Sequence, residues 1–399
     1  MKILEVNKFF YMRRGAERHF LDLIALLEKN AHEIAVFSMQ HPENLASKWD
    51  RYFVSHVGYN DDDSTLWERI IGTLRLFWSF EARRKFELLL NDFKPDVVHV
   101  HNAYHQLSLS FFPLIKRTGI PLIMTVHDYA LISPDKDVYY PEVGRQYWKF
   151  LWMNKYGFGK RFLLVLKKYW EDIVGLYNCV DRFIVPSRYV EGILLSAGIS
   201  KNRILVIPHF ISESDVAPKE IVDFEIPEKY LFSFGALSHE KGTEILLHLS
   251  TEMNILILFA GRMEESFDFS KYPFAKYIGM RTKGELWTLI RKSMAVVSAS
   301  TLPETFGLTA LETIALGKPF LGLDRGALSE IIENGENGFL AKDQEMLADV
   351  VRKFLAWEIV FSDDDAIRRC SEERFGSSVY LAQFKVLVEA LTTKIIDKK

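Results

Sequence analysis

The sequence predicts an α/β protein made of two consecutive parallel-sheet domains, and three observations carry this. The chain has 399 residues, beyond the size at which one hydrophobic core stops growing. Short β-rich apolar runs alternate with longer amphipathic ones along nearly all of it, which is the pattern of βαβ units. The alternation halts once, in a polar stretch from Ser212 to Glu228 holding Pro218 and Pro227, and then restarts as it would after a linker.

The elements follow in order. In the first half come "KILEVN", a helix from about Ala16 to Lys29, "HEIAVFS", a long helical tract from Leu66 to Phe93, "DVVHVHN", a helix near Leu109 to Thr118, "PLIMTVHD", "DRFIVPS" and "RILVIPH". The second half supplies "YLFSFG", "NILILFAG", "AKYIGM", "MAVVSAS", "PFLGLD" and "GFLA", with helical patterns between them. We therefore expect an N-terminal domain over 1–212, a linker over 213–228 and a C-terminal domain over 229–375. A last helix over 376–399 is placed to pack back on the first domain.

Right-handed crossovers make each domain a doubly wound sheet, and such sheets bind ligands beyond the carboxyl ends of their strands. The residues at those ends are Asn7 to Gly15, His101 and Asn102, His127 and Asp128, Ser187, Gly235 to Gly242, Gly261, Gly279, and Ser300 to Gly307. Two such edges facing each other would enclose a central cleft.

Hydrophobic residues make up 48% of the chain and charged ones 26%, which excludes extended disorder. Cys179 and Cys370 are too far apart in sequence to suggest a disulfide framework, and fit a reducing compartment. "MKILEVNKFF" has no apolar signal core, and no run approaches the roughly 18 apolar residues of a spanning helix. The expected location is cytoplasmic, with access to the inner face of a membrane. Net charge is +5 over residues 1–210 and −8 over 211–399, an asymmetry that points to an anionic partner for one half.

The stretch "LPETFGLTALE" places Glu304 and Glu312 in a run with no basic residue between them. If "VVSAS" is a strand and "GLTALETIALG" a helix ending at Gly317, then Phe306, Gly307 and Leu308 supply unpaired N–H groups at a helix start, where phosphate binds. The two acids would lie about 12 to 15 Å apart, too far for a hydrolase pair, which needs roughly 5 to 10 Å. They suit the two ends of an elongated ligand whose hydroxyls donate to them. Glu312 alone also reads as part of a solvated helix face.

His99, His101 and His105 in "HVHNAYH" raise the question of a metal. With no cysteine or acid completing a ligand pattern, polar strand ends are the better reading, and no metal is expected. The stretch 145–170, "RQYWKFLWMNKYGFGKRFLLVLKKYW", has seven basic residues, nine aromatics and no acid. Aromatics anchor at a bilayer interface, and each base near anionic headgroups contributes about 1 kcal/mol. A buried aromatic cluster with solvated lysines has the same composition; a nucleic-acid face lacks any supporting motif.

"SASTLPETFGLTALETIALGKPFLG" resembles the E-x7-E segment of family 4 glycosyltransferases, retaining enzymes of GT-B architecture that use nucleotide diphosphate sugars. The first half resembles the family's acceptor domain in "RRGAERHFLDLIALLEKNAHEIAVFS", "KPDVVHVHN", "PLIMTVHDYALISP", "IVPSRYV" and "ILVIPHF". The second resembles its donor domain in "FSFGALSHEKGTEILL", "LILFAGR", "YIGMRTKGELWTLI", "GALSEIIENGENGFL" and "RFGSSVYLAQFKVLVEAL". The resemblance implies a retaining transferase of EC 2.4 type, moving a sugar from a UDP- or GDP-sugar to a saccharide or lipid-linked acceptor in bacterial surface polysaccharide or glycolipid synthesis. It implies no cofactor and no metal.

The resemblance also implies residue roles. His127, Lys241 and Glu304 would be catalytic: His127 facing the reacting sugar, Lys241 neutralising the diphosphate, Glu304 binding sugar hydroxyls. Glu312 would bind the ribose, and Gly279, Met280 and Arg281 the base. Gly15 in the first loop, Gly235, Thr305, Phe306, Gly307 and Leu308 complete the donor set. Arg14, His101, Asn102 and Asp128 are the acceptor-side candidates.

The chain departs from the family pattern where Ala236 replaces an arginine that helps Lys241, with Arg262 or Arg14 as substitutes. It departs again at Arg14-Gly15, where a double glycine is common, and at His209-Phe210, where Asn-Gly is common and only a turn is at stake. Lost turnover, leaving a binding or scaffold subunit, is the alternative reading, and a nucleotide-sugar epimerase is a third.

Overall fold

The computed structural model describes residues 1–56, 66–211 and 222–396, so residues 213–221 of the expected linker lie outside the described residues. The chain divides into two compact units. Unit 1 comprises Met1–Pro186, Val190–Ile207 and Leu381–Lys399, and unit 2 comprises Ser187–Tyr189 and Pro208–Tyr380.

The first half runs β1 (Lys2–Val6), α1 (Gly15–Lys29), β2 (Glu33–Phe37), α2 (Leu66–Phe77), α3 (Phe80–Phe93), β3 (Val97–Val100), α4 (Phe112–Thr118), β4 (Leu122–Thr125), α5 (Phe158–Val174), β5 (Arg182–Val185), α6 (Arg188–Ser196) and β6 (Ile204–Val206). The sheet order is β2-β1-β3-β4-β5-β6, and every pairing is parallel. The central strands are buried on both faces, which is why they read as near-continuous apolar runs. The tract expected as one helix from Leu66 to Phe93 is two. Ser79 is extended and its hydroxyl accepts from the Ala82 N–H at 3.1 Å, capping α3 as a new start.

The second half runs β7 (Leu231–Phe234), α7 (Thr243–Met253), β8 (Ile257–Ala260), β9 (Ala275–Tyr277), α8 (Lys283–Lys292), β10 (Ala295–Ser298), α9 (Leu308–Ala315), β11 (Phe320–Leu323), β12 (Gly338–Ala341), α10 (Gln344–Leu355) and α11 (Asp364–Phe375). Its parallel sheet has the order β12-β11-β10-β7-β8-β9. One core layer joins Phe232, Leu258 and Val296 to Leu311 and Ile314 of α9. The other joins Leu231, Ile257 and Val297 to Leu247 of α7 and Val351 of α10. Alternate strand residues thus feed opposite layers, each buried side chain stabilising by about 1.5 to 3 kcal/mol.

In unit 1 the strand order reverses between β1 and β3, and in unit 2 between β7 and β10. Ligands of doubly wound sheets bind at such switch points. The final helix, α12 (Ser377–Ile396), begins in unit 2 and from Leu381 onward belongs to unit 1. There the Phe384 ring lies 5.4 Å from the ring of His99.

Candidate active site

In unit 2 the loops leaving β7 and β10 meet at the switch point. Thr301 donates to the Glu240 carbonyl through both N–H and hydroxyl, each at 3.0 Å, which holds the two loops together. Gly242, at φ +73°, lies so close to the β10 loop that a Cβ there would stand 2.0 Å from the Ala299 carbonyl oxygen. Lys241 is thereby fixed beside Glu304, and its ammonium donates to Glu304 Oε1 at 2.5 Å.

Glu304 is held from the other side as well. Its carbonyl accepts from the Ala327 N–H at 2.9 Å, and it bridges Gly326. A Cβ on Gly326, at φ +68°, would lie 2.2 Å from the Glu304 carbonyl oxygen. The Ser300 hydroxyl stands 3.5 Å from the same Oε1 that Lys241 occupies. Both acid and lysine are partly exposed.

Helix α9 starts at Leu308, so of the expected donors Phe306, Gly307 and Leu308 the first lies ahead of the helix. Gly307 is the cap, at φ +107°, and the first intrahelical bond runs from Leu311 N–H to Gly307 O at 3.0 Å. The N–H groups of Leu308, Thr309 and Ala310 precede that bond and point out of the helix start, together with its dipole. Phe306 is buried and Thr305 half-buried just before it. Glu312, which also read as a solvated helix residue, is buried at 4% exposure, so a carboxylate in an otherwise apolar helix has been placed out of water. His209, expected to matter only for a turn, is buried and packs edge-on against Phe306 at 5.1 Å, supporting the α9 entry.

The remaining residues expected on the donor side sit on adjoining strand ends. Gly235 N–H donates to Ala260 O at 3.0 Å, and Gly261 N–H to Gly279 O at 2.9 Å, tying β7, β8 and β9 loops together. Met280 is exposed, while Arg281 is engaged with Asp223 at 2.5 Å and Glu285 at 3.1 Å. Beside Ala236, Leu237 N–H donates to Arg262 O at 2.9 Å, which brings Arg262 alongside the loop that lacks the arginine. Its side chain is exposed.

In unit 1 the switch point gathers acids and imidazoles. Glu5, in the middle of β1, is fully buried. Its carboxylate meets His99 Nδ1 at 3.1 Å and His101 Nε2 at 3.0 Å. His101 Nδ1 lies 2.8 Å from His127 Nε2, and His99 Nε2 lies 2.8 Å from the Thr125 hydroxyl. Burial alone would raise the Glu5 carboxyl, but the charge of His99 and hydrogen bonds from His101 and His99 outweigh it and hold it at about 2. Burial, with repulsion from His99, pushes His101 down to about 4 against the pull of Glu5. At neutral pH His101 is therefore neutral, donating Nε2–H to Glu5 and accepting at Nδ1 from His127 Nε2–H.

This corrects two sequence expectations. An acid does complete a cluster with His99 and His101, and it is Glu5; among the described residues, these three are the group with ligand-like spacing, and His105 is not part of it. Their mutual hydrogen bonds satisfy them as a buried polar network. Gly15 is the first residue of α1, with Arg14 extended before it, so it belongs to the helix and not to the loop.

Asn102 is placed beside this network. Its N–H donates to Asn7 Oδ1 at 3.1 Å, and its own Oδ1 accepts from the Tyr104 hydroxyl at 2.6 Å. Asp128 caps the turn Tyr129–Leu131 through the Ala130 N–H at 3.0 Å. Burial raises its carboxyl, opposed chiefly by the charge of Lys8. Lys8, lowered by burial and raised in turn by Asp128 and Glu17, is a half-buried lysine that the sequence reading passed over.

Residues 13–215 match the family model described as Glycosyltransferase Family 4, and residues 218–370 match Glycosyl transferases group 1. The chain belongs to glycosyltransferase family 4. This family 4 glycosyltransferase is 24% identical over 366 residues to a Klebsiella pneumoniae protein described as an uncharacterised 42.6 kDa protein in the cps region, covering 86% of this chain and 90% of that one. It is also 24% identical over 253 residues to an uncharacterised glycosyltransferase of Methanocaldococcus jannaschii, covering 62% of this chain and 61% of its relative's length. Anabaena HepE, solved in complex with UDP-glucose, superposes with a TM-score of 0.61 at 17% identity, over 98% of this chain and 100% of that one. Its likeness supports the two-domain GT-B fold.

Proposed function

We propose that this glycosyltransferase moves a sugar from a UDP- or GDP-sugar to a saccharide or lipid-linked acceptor, with retention of configuration. The observation that carries this is the convergence of Lys241, Glu304 and the α9 start at one switch point. A cation and a helix N-terminus side by side suit a diphosphate, and Glu304 beside them suits the hydroxyls of the sugar it carries. Glu312 would take the ribose, and the backbone at Gly279 to Arg281 the base.

In the proposed step the bond from the sugar C1 to the diphosphate oxygen breaks while the acceptor oxygen forms its bond to C1 on the same face. The acceptor proton goes to the departing phosphate oxygen. Lys241 and the α9 start stabilise the charge that develops there, without a metal in this reading. His127 keeps in this reading the role the family resemblance implies for it, facing the reacting sugar. A Klebsiella relative from a cps region fits surface polysaccharide synthesis, and the UDP-glucose bound by Anabaena HepE favours a uridine donor. A cytoplasmic location is part of this reading.

A second reading has one observation in its favour. Ala236 stands where the family places an arginine, so the chain could bind without turning over. Incubation with labelled UDP- and GDP-sugars, followed for transfer or donor hydrolysis, separates the two. Transfer or hydrolysis that Glu304→Ala abolishes supports the enzyme; binding without either supports the scaffold; isomerised donor without acceptor would make it an epimerase.

A further inference from the structure

Helix α5 in unit 1 is turned inside out. Its lysines Lys167 and Lys168 and its acid Glu171 are buried. Lys168 donates to the Ala130 and Leu131 carbonyls at 3.1 and 2.6 Å and to Glu171 at 3.0 Å, and Lys167 donates to the other Glu171 oxygen. The polar residues thus dock the helix on the protein. The apolar ones face out: Phe158, Phe162, Leu166, Trp170 and Ile173 are exposed at 63, 52, 47, 38 and 80%. With 3.6 residues per turn these five fall within about 120° of one another around the helix, and no charged residue lies in that arc.

The segment before α5 adds to this face. Tyr147–Trp152 forms a 3-10 turn whose Tyr147 and Phe150 join Val143 and Val165 of α5 in a small buried cluster. Its tryptophans are left outside, Trp148 at 51% and Trp152 at 79% exposure. The Trp148 N–H donates to the Tyr169 hydroxyl at 3.3 Å, which fixes it to α5. Basic residues border the apolar surface: Arg145 and Lys160 are exposed, and Lys149 and Arg161 half-buried. No acid occurs between 145 and 170.

We propose that this face is a docking surface for an anionic phospholipid bilayer, into whose interface α5 lies flat. A large exposed apolar stripe marks an interaction site. Aromatics and leucine on one side, bordered by bases, match a membrane interface with negative headgroups. A second copy of the chain is the poorer occupant, because a two-fold contact would bring together two copies of a segment, 145–170, that carries bases and no acid. No described helix is long and apolar enough to cross a membrane, so the contact is with one surface. The inference holds whichever sugar nucleotide unit 2 takes.

The test is sedimentation of the full chain with vesicles of phosphatidylcholine, alone or mixed with phosphatidylglycerol, and free of any saccharide lipid. Binding is expected to the mixed vesicles and to be weak with phosphatidylcholine alone. Leu166→Glu should weaken it roughly tenfold or more, Trp152→Ser should weaken it too, and Lys160→Ala should weaken it about fivefold at low salt. Each variant is checked for wild-type melting, and Leu166→Glu and Trp152→Ser lie on separate elements, so misfolding of one leaves the other informative. Absence of binding to mixed vesicles overturns the proposal, as does equal binding by folded variants. A dimer seen by light scattering, broken by Leu166→Glu and accompanied by no vesicle binding, overturns it in favour of a second copy.

Discussion

Lys241 reaches Glu304 across 63 residues of sequence, its ammonium 2.5 Å from the Glu304 carboxylate. The pair exists because β7 and β10 are neighbours in the sheet, and the residues that follow them leave side by side. In the proposed function a donor phosphate arriving at the α9 start would compete with Glu304 for the lysine and free the carboxylate for sugar hydroxyls. In that proposal the ion pair keeps each group in place for its own part of the ligand.

Lys241→Ala should lower kcat by about a hundredfold to a thousandfold, the usual effect of removing a group that stabilises developing charge. Lys241→Arg should recover part of it. Steady-state kinetics with the active donor checks this; an unchanged kcat would remove Lys241 from the leaving-group site.

Arg262 lies beside the loop in which Ala236 replaces an arginine. If it supplies the missing cation, Arg262→Ala should raise the donor KM about tenfold, a charge-assisted hydrogen bond to phosphate contributing roughly 1.5 to 3 kcal/mol. Ala236→Arg in that background should restore affinity. A donor KM indifferent to both would leave Lys241 as the cation on which the site depends.

Gly326→Ala should damage both stability and activity, since its Cβ would overlap the Glu304 backbone at a left-handed φ. A loss of about 2 kcal/mol or more in denaturant unfolding is expected. Gly335, also left-handed but with open space around its Cβ position, is the control: Gly335→Ala should carry the conformational cost without the loss of activity.

Acid should destabilise unit 1 through the buried network. His101 is lowered to about 4, so between its ordinary value near 6.5 and 4 the unfolded chain binds the proton and the folded one does not. Stability therefore falls as pH drops through that window. Glu5 is lowered to about 2; its contribution is present above its ordinary value near 4.5 and is lost as pH falls toward 2. Each is on the order of a few kcal/mol, shared within one coupled network. Melting temperatures from pH 7 to pH 4 should drop more steeply for the wild type than for His101→Gln, which cannot take the proton.

Much of this was legible in the sequence. All twelve described strands fall in runs that read as strands, because buried parallel strands are short, apolar and bounded by turn residues. The α9 start was legible in Gly307 and the small residues after it. The Lys241–Glu304 contact was not, since it depends on sheet order rather than on local pattern. Glu5 was passed over because an acid in "KILEV" looks like one face of an ordinary strand. The available signal was that a central parallel strand has no solvent face, so its acid needed partners, and "HVH" supplied them. For α5 the spacing of Phe158, Phe162, Leu166 and Trp170 was visible, but which face is buried is decided by the carbonyls of Ala130 and Leu131 waiting for Lys168.

The central claim is that unit 2 holds a nucleoside diphosphate at Lys241 and the α9 start. Thermal shift with UDP and GDP, on the wild type and on Lys241→Ala, tests it most directly, since a ligand that binds the folded state raises its stability. One of the two nucleotides should raise the wild-type melting temperature, and Lys241→Ala, folded as the wild type, should lose most of that shift. A wild type indifferent to both nucleotides, or a Lys241→Ala variant that keeps the full shift, would contradict it.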